Sequence, residues 1–125
     1  MFEIKETPKA PAAIGPYSQS VRFGNLLFTS GQIGIDPETG EMEQGTIEAQ
    51  AYRVMKNLGA ILAEYGIGFG NVVKTSCFLA DMNDFPVFNE IYGKYFSEHK
   101  PARSCVAAKA LPKGALCEVE IIAAL

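Results

Sequence analysis

One long stretch of the sequence has the spacing of an amphipathic helix. Apolar residues recur over 46–65 at intervals of three and four, which places them on one helix face. They are Ile47, Ala51, Val54, Met55, Leu58, Ile61, Leu62 and Tyr65. Thr46 is a suitable N-cap and Gly66 a suitable C-terminal stop, so the helix is predicted from 46 to 65. A helix with an apolar stripe must pack on another element.

The segments on either side of this helix favour strands. Residues 18–31, SQSVRFGNLLFTSG, predict a hairpin with a two-residue primed turn, because Gly24 and Asn25 both tolerate positive φ. The run VVKTSCFLA at 72–80 is rich in β-branched residues and predicts a strand. The proline-rich residues 7–16 predict an ordered extended loop.

A second helix is predicted at about 84–98. Asp84 is placed to cap it, and Pro86 lies in its first turn, where proline is tolerated. The helix must end before Pro101, because the residue preceding a proline avoids the helical region.

Two further strands are predicted at about 103–110 and 116–124, next to each other at the end of the chain. The order β-β-α-β-α-β-β predicts an α+β fold, with two helices on one face of a mixed sheet of about five strands. At 125 residues, the chain is expected to form a single domain over 1–125. If the uncovered face of the sheet is also apolar, other subunits must cover it, which predicts an oligomer.

Composition narrows the classes of function. The formal net charge of −3 argues against nucleic acid as a partner. No apolar segment is long enough for a signal peptide or a membrane helix, so no membrane contact and a cytoplasmic location are expected. The cysteines, Cys77, Cys105 and Cys117, lie in apolar runs without C-x-x-C spacing, which favours small buried residues over a disulfide or zinc site. A nucleophilic cysteine would need a basic partner, and His99 is the single histidine.

Two features of the last strands could carry chemistry. Arg103 opens an apolar strand, either as a snorkelling surface residue or as a hook for an anion, and the residues alone favour neither. Glu118 and Glu120 are two residues apart and therefore share a strand face. That face is either a solvated polar surface or the edge of a cleft that uses a carboxylate for acid–base work. A metal site is a weak reading, because no histidine or third acid lies nearby in the sequence.

Four separated motifs resemble the RidA/YjgF family. PARSCVAAKALPKGALCEVEIIA at 101–123 is similar to its C-terminal motif. APAAIGPYSQS at 10–20 and FTSGQIG at 28–34 are similar to its two N-terminal motifs, and DMNDFPVFNEIYGKYF at 81–96 to its second helix. The resemblance covers essentially the whole chain in one order. It implies a chorismate-mutase-like fold and a homotrimer with its sites in the clefts between subunits.

The resemblance also implies a reaction, the hydrolysis of reactive enamines and imines to 2-oxo acids and ammonia. The substrates would be 2-aminoacrylate, 2-iminopropanoate and 2-iminobutanoate, and no cofactor is implied. Arg103 would hold the substrate carboxylate, and Glu118 would hold or activate the attacking water. The other expected substrate-binding residues are Tyr17, Ser30, Gly31, Asn89 and Cys105, of which Gly31 and Cys105 would use backbone groups.

Two questions stay open at this level. The last two strands are expected to pair with each other, and the loop at 111–115 decides their register. Arg103 and Glu118 share a face when the numbers of paired residues sum to 225 and lie on opposite faces when they sum to 226. The prediction is that they border one cleft. The rival function is a non-catalytic small-carboxylate-binding regulator or an RNA-acting protein, since proteins resembling this family carry names such as translation inhibitor or endoribonuclease. Lys94, Lys100 and Lys113 could cluster to bind RNA.

Overall fold

The computed structural model describes residues 2–125, which form two helices and six strands. The helices are α1 (Ile47–Glu64) and α2 (Phe85–Tyr95). The strands are β1 (Phe2–Glu3), β2 (Ser20–Phe23), β3 (Leu26–Thr29), β4 (Val72–Leu79), β5 (Ala102–Ala107) and β6 (Cys117–Ala124). Short 3₁₀ turns occur at Phe69–Asn71, Met82–Asp84 and Pro112–Gly114.

All six strands belong to one mixed sheet, in the order β1-β2-β3-β6-β4-β5. The β4–β5 pair is parallel and the other pairs are antiparallel. Both helices pack on one face of this sheet, where alternate residues of β6 are buried with them. The prediction of a chorismate-mutase-like α+β fold with helices on one face is confirmed.

The first helix follows the predicted signals. The Thr46 side-chain oxygen accepts a hydrogen bond from the Ala49 amide at 3.1 Å, which satisfies one of the donors at the helix start. The chain leaves the helix through Gly66 at φ 72°, a conformation that glycine adopts without strain. Of the predicted apolar face, only Tyr65 is not fully buried.

The second helix begins where predicted, but it is capped differently. Pro86 lies in its first turn, but the Asp84 side chain makes no capping hydrogen bond. The 3₁₀ turn at Met82–Asp84 leads directly into α2, so Asp84 already has near-helical angles of φ −82° and ψ −6°. Asp81 accepts the capping bond instead, from the Asn83 amide at 2.8 Å. Asp84 therefore occupies the predicted N-cap position, but the prediction that its side chain caps the helix was wrong.

The predicted hairpin is present, with Phe23 opposite Leu26 and a two-residue loop between them. Among the described residues, Gly24 has a positive φ of 61° and Asn25 does not. Positive φ at the first loop position alone is the pattern of a type II′ turn, one of the two primed turns.

The expected pairing of the last two strands was wrong. β5 pairs with β4, and β6 lies between β3 and β4. The reason is that α2 is a crossover that brings the chain back beside β4 in the parallel direction. β6 then fills the position between β4 and the hairpin. The count of about five strands was also low, because β1 adds a short edge strand against β2.

The sheet face opposite the helices is apolar over much of its area. Strand register places Phe23, Leu26, Phe28 and Val106 on this face, and all four are exposed. Phe23 is 56% and Val106 53% exposed. An apolar sheet face of this kind is typical of a surface that a second subunit covers.

Candidate active site

Arg103 lies on β5 with its side chain on the helix side of the sheet. Its Nη1 atom donates to Asn89 Oδ1 on α2 at 2.7 Å. Its guanidinium carbon is 4.6 Å from the ring centroid of Tyr92 and 5.4 Å from that of Phe85, within cation–π range. Within residues 2–125 the guanidinium forms no salt bridge. A neutral amide and two rings fix the position of the guanidinium and leave its charge available to an external anion. This favours an anion-binding role for Arg103 over that of a surface side chain that extends its charge into solvent.

The backbone of Cys105 is directed to the open edge of the sheet. β5 is an edge strand, and the amide of Ala108 donates back to Leu79 O on β4 at 2.9 Å. Because successive residues of a strand direct their N–H and C=O groups to alternate sides, Arg103 and Cys105 direct theirs away from β4. The edge next to Arg103 therefore presents the unpaired polar groups of Cys105.

None of the three thiols has the surroundings of a nucleophile. Burial raises the pKa of Cys105, although the charge of Arg103 lowers it in part. Burial raises the pKa of Cys77 and of Cys117 to about 12. His99 Nε2 lies 2.6 Å from the carbonyl oxygen of Val72 and so has a backbone partner. Cys77 and Cys117 are therefore small core residues, as their apolar surroundings predict, and Cys105 is partly buried against the same core.

A cavity of about 450 Å³ adjoins the Arg103 side chain, and we call it the Arg103 cavity. It is lined by Asn89, Tyr92, Gly93, Phe96, Lys100, Pro101 and Arg103. Two of these side chains are cationic and none is acidic. The composition suits an anionic group held against an aromatic wall.

Glu118 lies on β6 with its side chain on the other face of the sheet. It borders a separate cavity of about 580 Å³, which we call the Glu118 cavity. Tyr17, Ser30 and Gly31, three of the residues expected at the site, line the same cavity. Glu120 is also there, so the two acids share a face as their spacing predicts.

The carboxyl of Glu118 is in an environment that favours its protonated form. Burial raises its pKa, and the neighbouring charge of Glu120 raises it further. Gly31 is in contact with this carboxyl, since a Cβ built there would come within 2.9 Å of Glu118 Cδ. A half-buried carboxyl with a raised pKa is a stronger base than an ordinary glutamate, which suits it to accept a proton from water.

The polar groups of Tyr17 and Ser30 already have local partners. The Ser30 hydroxyl donates to Ser18 O at 2.6 Å, and the Tyr17 hydroxyl accepts from the Ile14 amide at 3.4 Å. The Tyr17 side chain is 51% exposed, so its ring is accessible at the cavity mouth.

Arg103 and Glu118 border different cavities within one chain. Arg103 is aligned with Thr75 of β4 and Glu118 with Phe78, on opposite faces of the sheet. Arg103 and Glu118 are two strands apart across the sheet, which is roughly 10 Å. They are also three residues apart along the strand direction, which is again roughly 10 Å. One chain does not form the expected shared cleft, and neither pairing sum applies, because β4 separates the two strands.

Three buried polar side chains near the Glu118 cavity were missed. Gln19 bonds four times to the backbone of the loop at 7–11, through Thr7 N and O, Ala10 O and Pro11 O. Gln50 and Asn57 lie on the buried face of α1. Gln50 and Asn57 could have been found from the sequence, because each is a polar residue within the apolar face of the helix, and a buried amide needs hydrogen-bond partners.

Neither a metal centre nor a membrane segment appears in the described part of the chain. Residues 2–125 contain no group of three or more His, Cys, Asp or Glu side chains arranged to hold a metal ion. The same residues include no helix with the length and apolar character needed to span a bilayer.

Fold and site together define a small α+β protein with an arginine free of acidic partners among residues 2–125 on the edge strand of its sheet and a half-buried carboxyl on the opposite face. The chain belongs to the endoribonuclease L-PSP family, the RidA/YjgF family, whose model matches residues 7–125. The resemblance seen in the four motifs is thereby confirmed.

Relatives of known name cover nearly the whole chain. A RutC family protein of Pyrococcus abyssi is 51% identical over 97% of this chain and 95% of its own. A 2-iminobutanoate/2-iminopropanoate deaminase of Mus musculus is 49% identical over 97% of this chain and 90% of its own. The crystal structure of E. coli TdcF with bound serine has a TM-score of 0.93 at 43% identity, covering 98% of each chain.

Proposed function

We propose that this protein is a deaminase that hydrolyses reactive enamine and imine intermediates to 2-oxo acids and ammonia. The substrates are small imino acids such as 2-aminoacrylate, 2-iminopropanoate and 2-iminobutanoate. The observation that carries the proposal is the Arg103 guanidinium, held by Asn89 and two rings without an acidic partner among residues 2–125. The mouse relative that carries the deaminase name supports it.

Arg103 binds the substrate carboxylate in this proposal. A guanidinium presents two parallel N–H groups that match the two carboxylate oxygens, and such charge-assisted bonds are stronger than neutral ones. The outward N–H of Cys105 adds a donor at the same edge. Fixing the carboxylate fixes the C=N carbon next to it, so that attack by water becomes effectively unimolecular.

Glu118 acts as the general base. It takes a proton from water as the oxygen bonds to the imine carbon, and it gives that proton to nitrogen, which receives the C=N π electrons. The carbinolamine then collapses, because Glu118 takes the hydroxyl proton and passes it to nitrogen as the C–N bond breaks. Ammonia leaves and the C=O bond of the 2-oxo acid forms. An enamine enters as its imine tautomer, and water is the only co-reactant.

The two cavities act on one substrate only if different protomers supply them. An imino acid of this size does not span the sheet from Arg103 to Glu118. The protein is therefore proposed to be a homotrimer in which the Arg103 cavity of one subunit faces the Glu118 cavity of the next. The exposed apolar face with Phe23, Leu26, Phe28 and Val106 supports an oligomer.

The test is a coupled assay in which a serine dehydratase releases 2-aminoacrylate and the appearance of pyruvate is followed. Because 2-aminoacrylate also hydrolyses spontaneously, the protein must accelerate pyruvate release above the dehydratase alone. Arg103→Ala is expected to abolish that acceleration. Arg22→Ala is the matched control, because the Arg22 side chain is 43% exposed and lies 3.9 Å from Glu3, outside both cavities. Unchanged activity in Arg103→Ala would refute the proposed role.

RNA cleavage is measured in parallel, because the family's description names an endoribonuclease. Within one chain Lys100 lines the Arg103 cavity, and Lys113 lines the Glu118 cavity together with the acidic Glu118 and Glu120. Salt-sensitive RNA cleavage without imine hydrolysis would favour the alternative function. Binding of a small carboxylate without turnover would favour a regulator.

A further inference from the structure

Two buried amide side chains on α1 face the segments that form the Glu118 cavity. Gln50 is 5% exposed and Asn57 is fully buried. They are seven residues apart, which is about two turns, and so lie on the same helix face. Their neighbours on that face are apolar core residues. A buried amide in such surroundings is unfavourable unless it is hydrogen-bonded.

Asn57 uses both of its donors on the strand-like segment that follows Gly31. Its Nδ2 donates to Ile33 O at 3.3 Å and to Ile35 O at 2.9 Å. Ile33 and Ile35 both line the Glu118 cavity. The other end of the amide, Oδ1, is buried without a hydrogen-bond partner among residues 2–125. An unpaired buried oxygen is unfavourable for stability, and the two bonds that Nδ2 makes to Ile33 and Ile35 offset this cost.

Gln50 is hydrogen-bonded to the second segment that forms the Glu118 cavity, the residues that lead into β6. Its Oε1 accepts from the Leu116 amide at 2.8 Å, two residues before Glu118, and its Nε2 donates to Glu43 O at 3.3 Å. Gly34 allows this close approach, since a Cβ there would lie only 3.0 Å from Gln50 Cα.

The two segments meet at Glu118. The Gln32 amide donates to Val119 O at 2.9 Å, and the Val119 amide donates to Gln32 O at 3.1 Å. This pair of bonds sets Gly31 beside the Glu118 carboxyl. Each segment is thus bonded to the other at the site and to α1 behind it.

We propose that Gln50 and Asn57 are positioning residues that fix the Glu118 carboxylate against the backbone of Gly31. The inference rests on the proposed function, because it assigns these amides to the orientation of its general base. Neither amide touches the substrate. They act through backbone bonds, and a small displacement of a general base causes a large loss of rate.

The experiment compares kcat and KM of four variants in the imine assay. Asn57→Leu and Gln50→Met remove the amides at similar volume and are expected to lower kcat about tenfold or more, with KM within about twofold. Gln50→Glu keeps an oxygen acceptor for the Leu116 amide and is expected to retain much of the kcat that Gln50→Met loses. Ile61→Val, a buried change on the same helix with no polar group, measures the effect of core destabilisation alone.

A second readout is the pKa of Glu118, measured by NMR of ¹³C-labelled glutamate. Once released, the carboxyl turns towards solvent, so its raised pKa is expected to fall towards the ordinary value in Asn57→Leu and Gln50→Met. The other titratable groups at the cavity are Glu120 on β6, Lys113 in the turn before it and Tyr17 in the N-terminal loop. None of them is changed in these variants.

The proposal is overturned if the amide variants behave as Ile61→Val does, with kcat and the Glu118 pKa unchanged. It is also overturned if Gln50→Glu is as impaired as Gln50→Met. If Asn57→Leu does not fold, the two Gln50 variants decide. If the wild-type protein hydrolyses no imine, the proposed function fails, and the Glu118 pKa alone decides whether the amides hold the carboxyl.

Discussion

Arg103 and Glu118 lie on opposite faces of one sheet, with β4 between their strands. Each has its own cavity and its own neighbours, Asn89 and aromatic rings for Arg103, and Gly31 and Glu120 for Glu118. A small imino acid cannot contact both residues of one chain. The proposed chemistry therefore requires that two protomers each contribute one part of the site.

Mixed oligomers test this division directly. Arg103→Ala and Glu118→Ala should each be inactive alone, but a one-to-one mixture assembled by co-expression should regain activity. In a cyclic oligomer each site takes Arg103 from one protomer and Glu118 from the adjacent one. Each of these residues is intact in half of the chains, so about a quarter of the sites contain both. Pyruvate release in the coupled assay measures the recovery.

A matched mixture supplies the control. Asn89 lies on the same chain and in the same cavity as Arg103, so Arg103→Ala mixed with Asn89→Ala restores no site. With substrate below KM, such a mixture should show about half the residual activity of Asn89→Ala, because half of its sites carry Arg103→Ala. Absence of recovery in the Arg103 and Glu118 mixture, in verified mixed oligomers, would contradict a shared site.

The shape of the guanidinium is predicted to matter as well as its charge. Arg103→Lys keeps a cation but loses the two parallel donors and the contact to the Tyr92 ring, so KM should rise about tenfold to a hundredfold. Asn89→Ala should raise KM about tenfold, because the guanidinium loses its orienting acceptor. Steady-state kinetics with Arg22→Lys as control checks both values. A normal KM in Arg103→Lys would mean that a point charge suffices.

Glu118 is predicted to trade stability for activity. Because folding raises its pKa, the folded state favours the protonated form, and stability falls as pH rises from the unfolded pKa through the folded one. Glu118→Gln is never ionised, so it should be more stable than the wild type at pH 7 and equally stable at about pH 3, below both pKa values. Urea unfolding at the two pH values measures this difference.

Glu118→Gln should also lose activity by about a hundredfold to ten-thousandfold, the range expected for removal of a general base. In the wild type, activity requires ionised Glu118, so the acidic limb of the rate profile should lie above the usual range of a glutamate. Glu120→Gln is the companion variant. It removes the neighbouring charge that raises this pKa, so the limb should move to lower pH. If the acidic limb does not move in Glu120→Gln, the group whose titration produces it is not Glu118.

The predictions from sequence succeeded where local patterns decide the structure. The periodicity of apolar residues predicted the buried face of α1, and capping preferences predicted its start after Thr46 and its end at Gly66. The β-branched residues predicted the strand at 72–80. Asp84 shows the limit of such rules, since a preceding 3₁₀ turn moved the capping bond to Asp81. Pairing of the last two strands could not be predicted, because neighbours in sequence are not always neighbours in a sheet.

The sequence pointed to side chains that line two cavities, but it did not show that these cavities lie on opposite faces of the sheet. Motif resemblance grouped Arg103 with Glu118, whereas strand order separates them within one chain. Residues that act from behind the site, such as Gln50 and Asn57, carry no motif. They are recognisable only once their backbone partners are known, because Leu116 and Ile33 are distant from them in sequence.

Gly31 provides the sharpest steric prediction. A Cβ there would overlap Glu118 Oε2 and lie 2.9 Å from Cδ, so Gly31→Ala must displace the carboxylate or the loop. Overpacking of this kind costs about 1–3 kcal/mol, and kcat should fall because the base is misplaced. Gly70→Ala is the control, because that Cβ would meet nothing within 4 Å. Since the clash is with the Glu118 side chain, Glu118→Ala should cancel most of the Gly31→Ala destabilisation in a double-mutant cycle of urea unfolding. Additive losses would show instead that the alanine acts on the backbone of the loop.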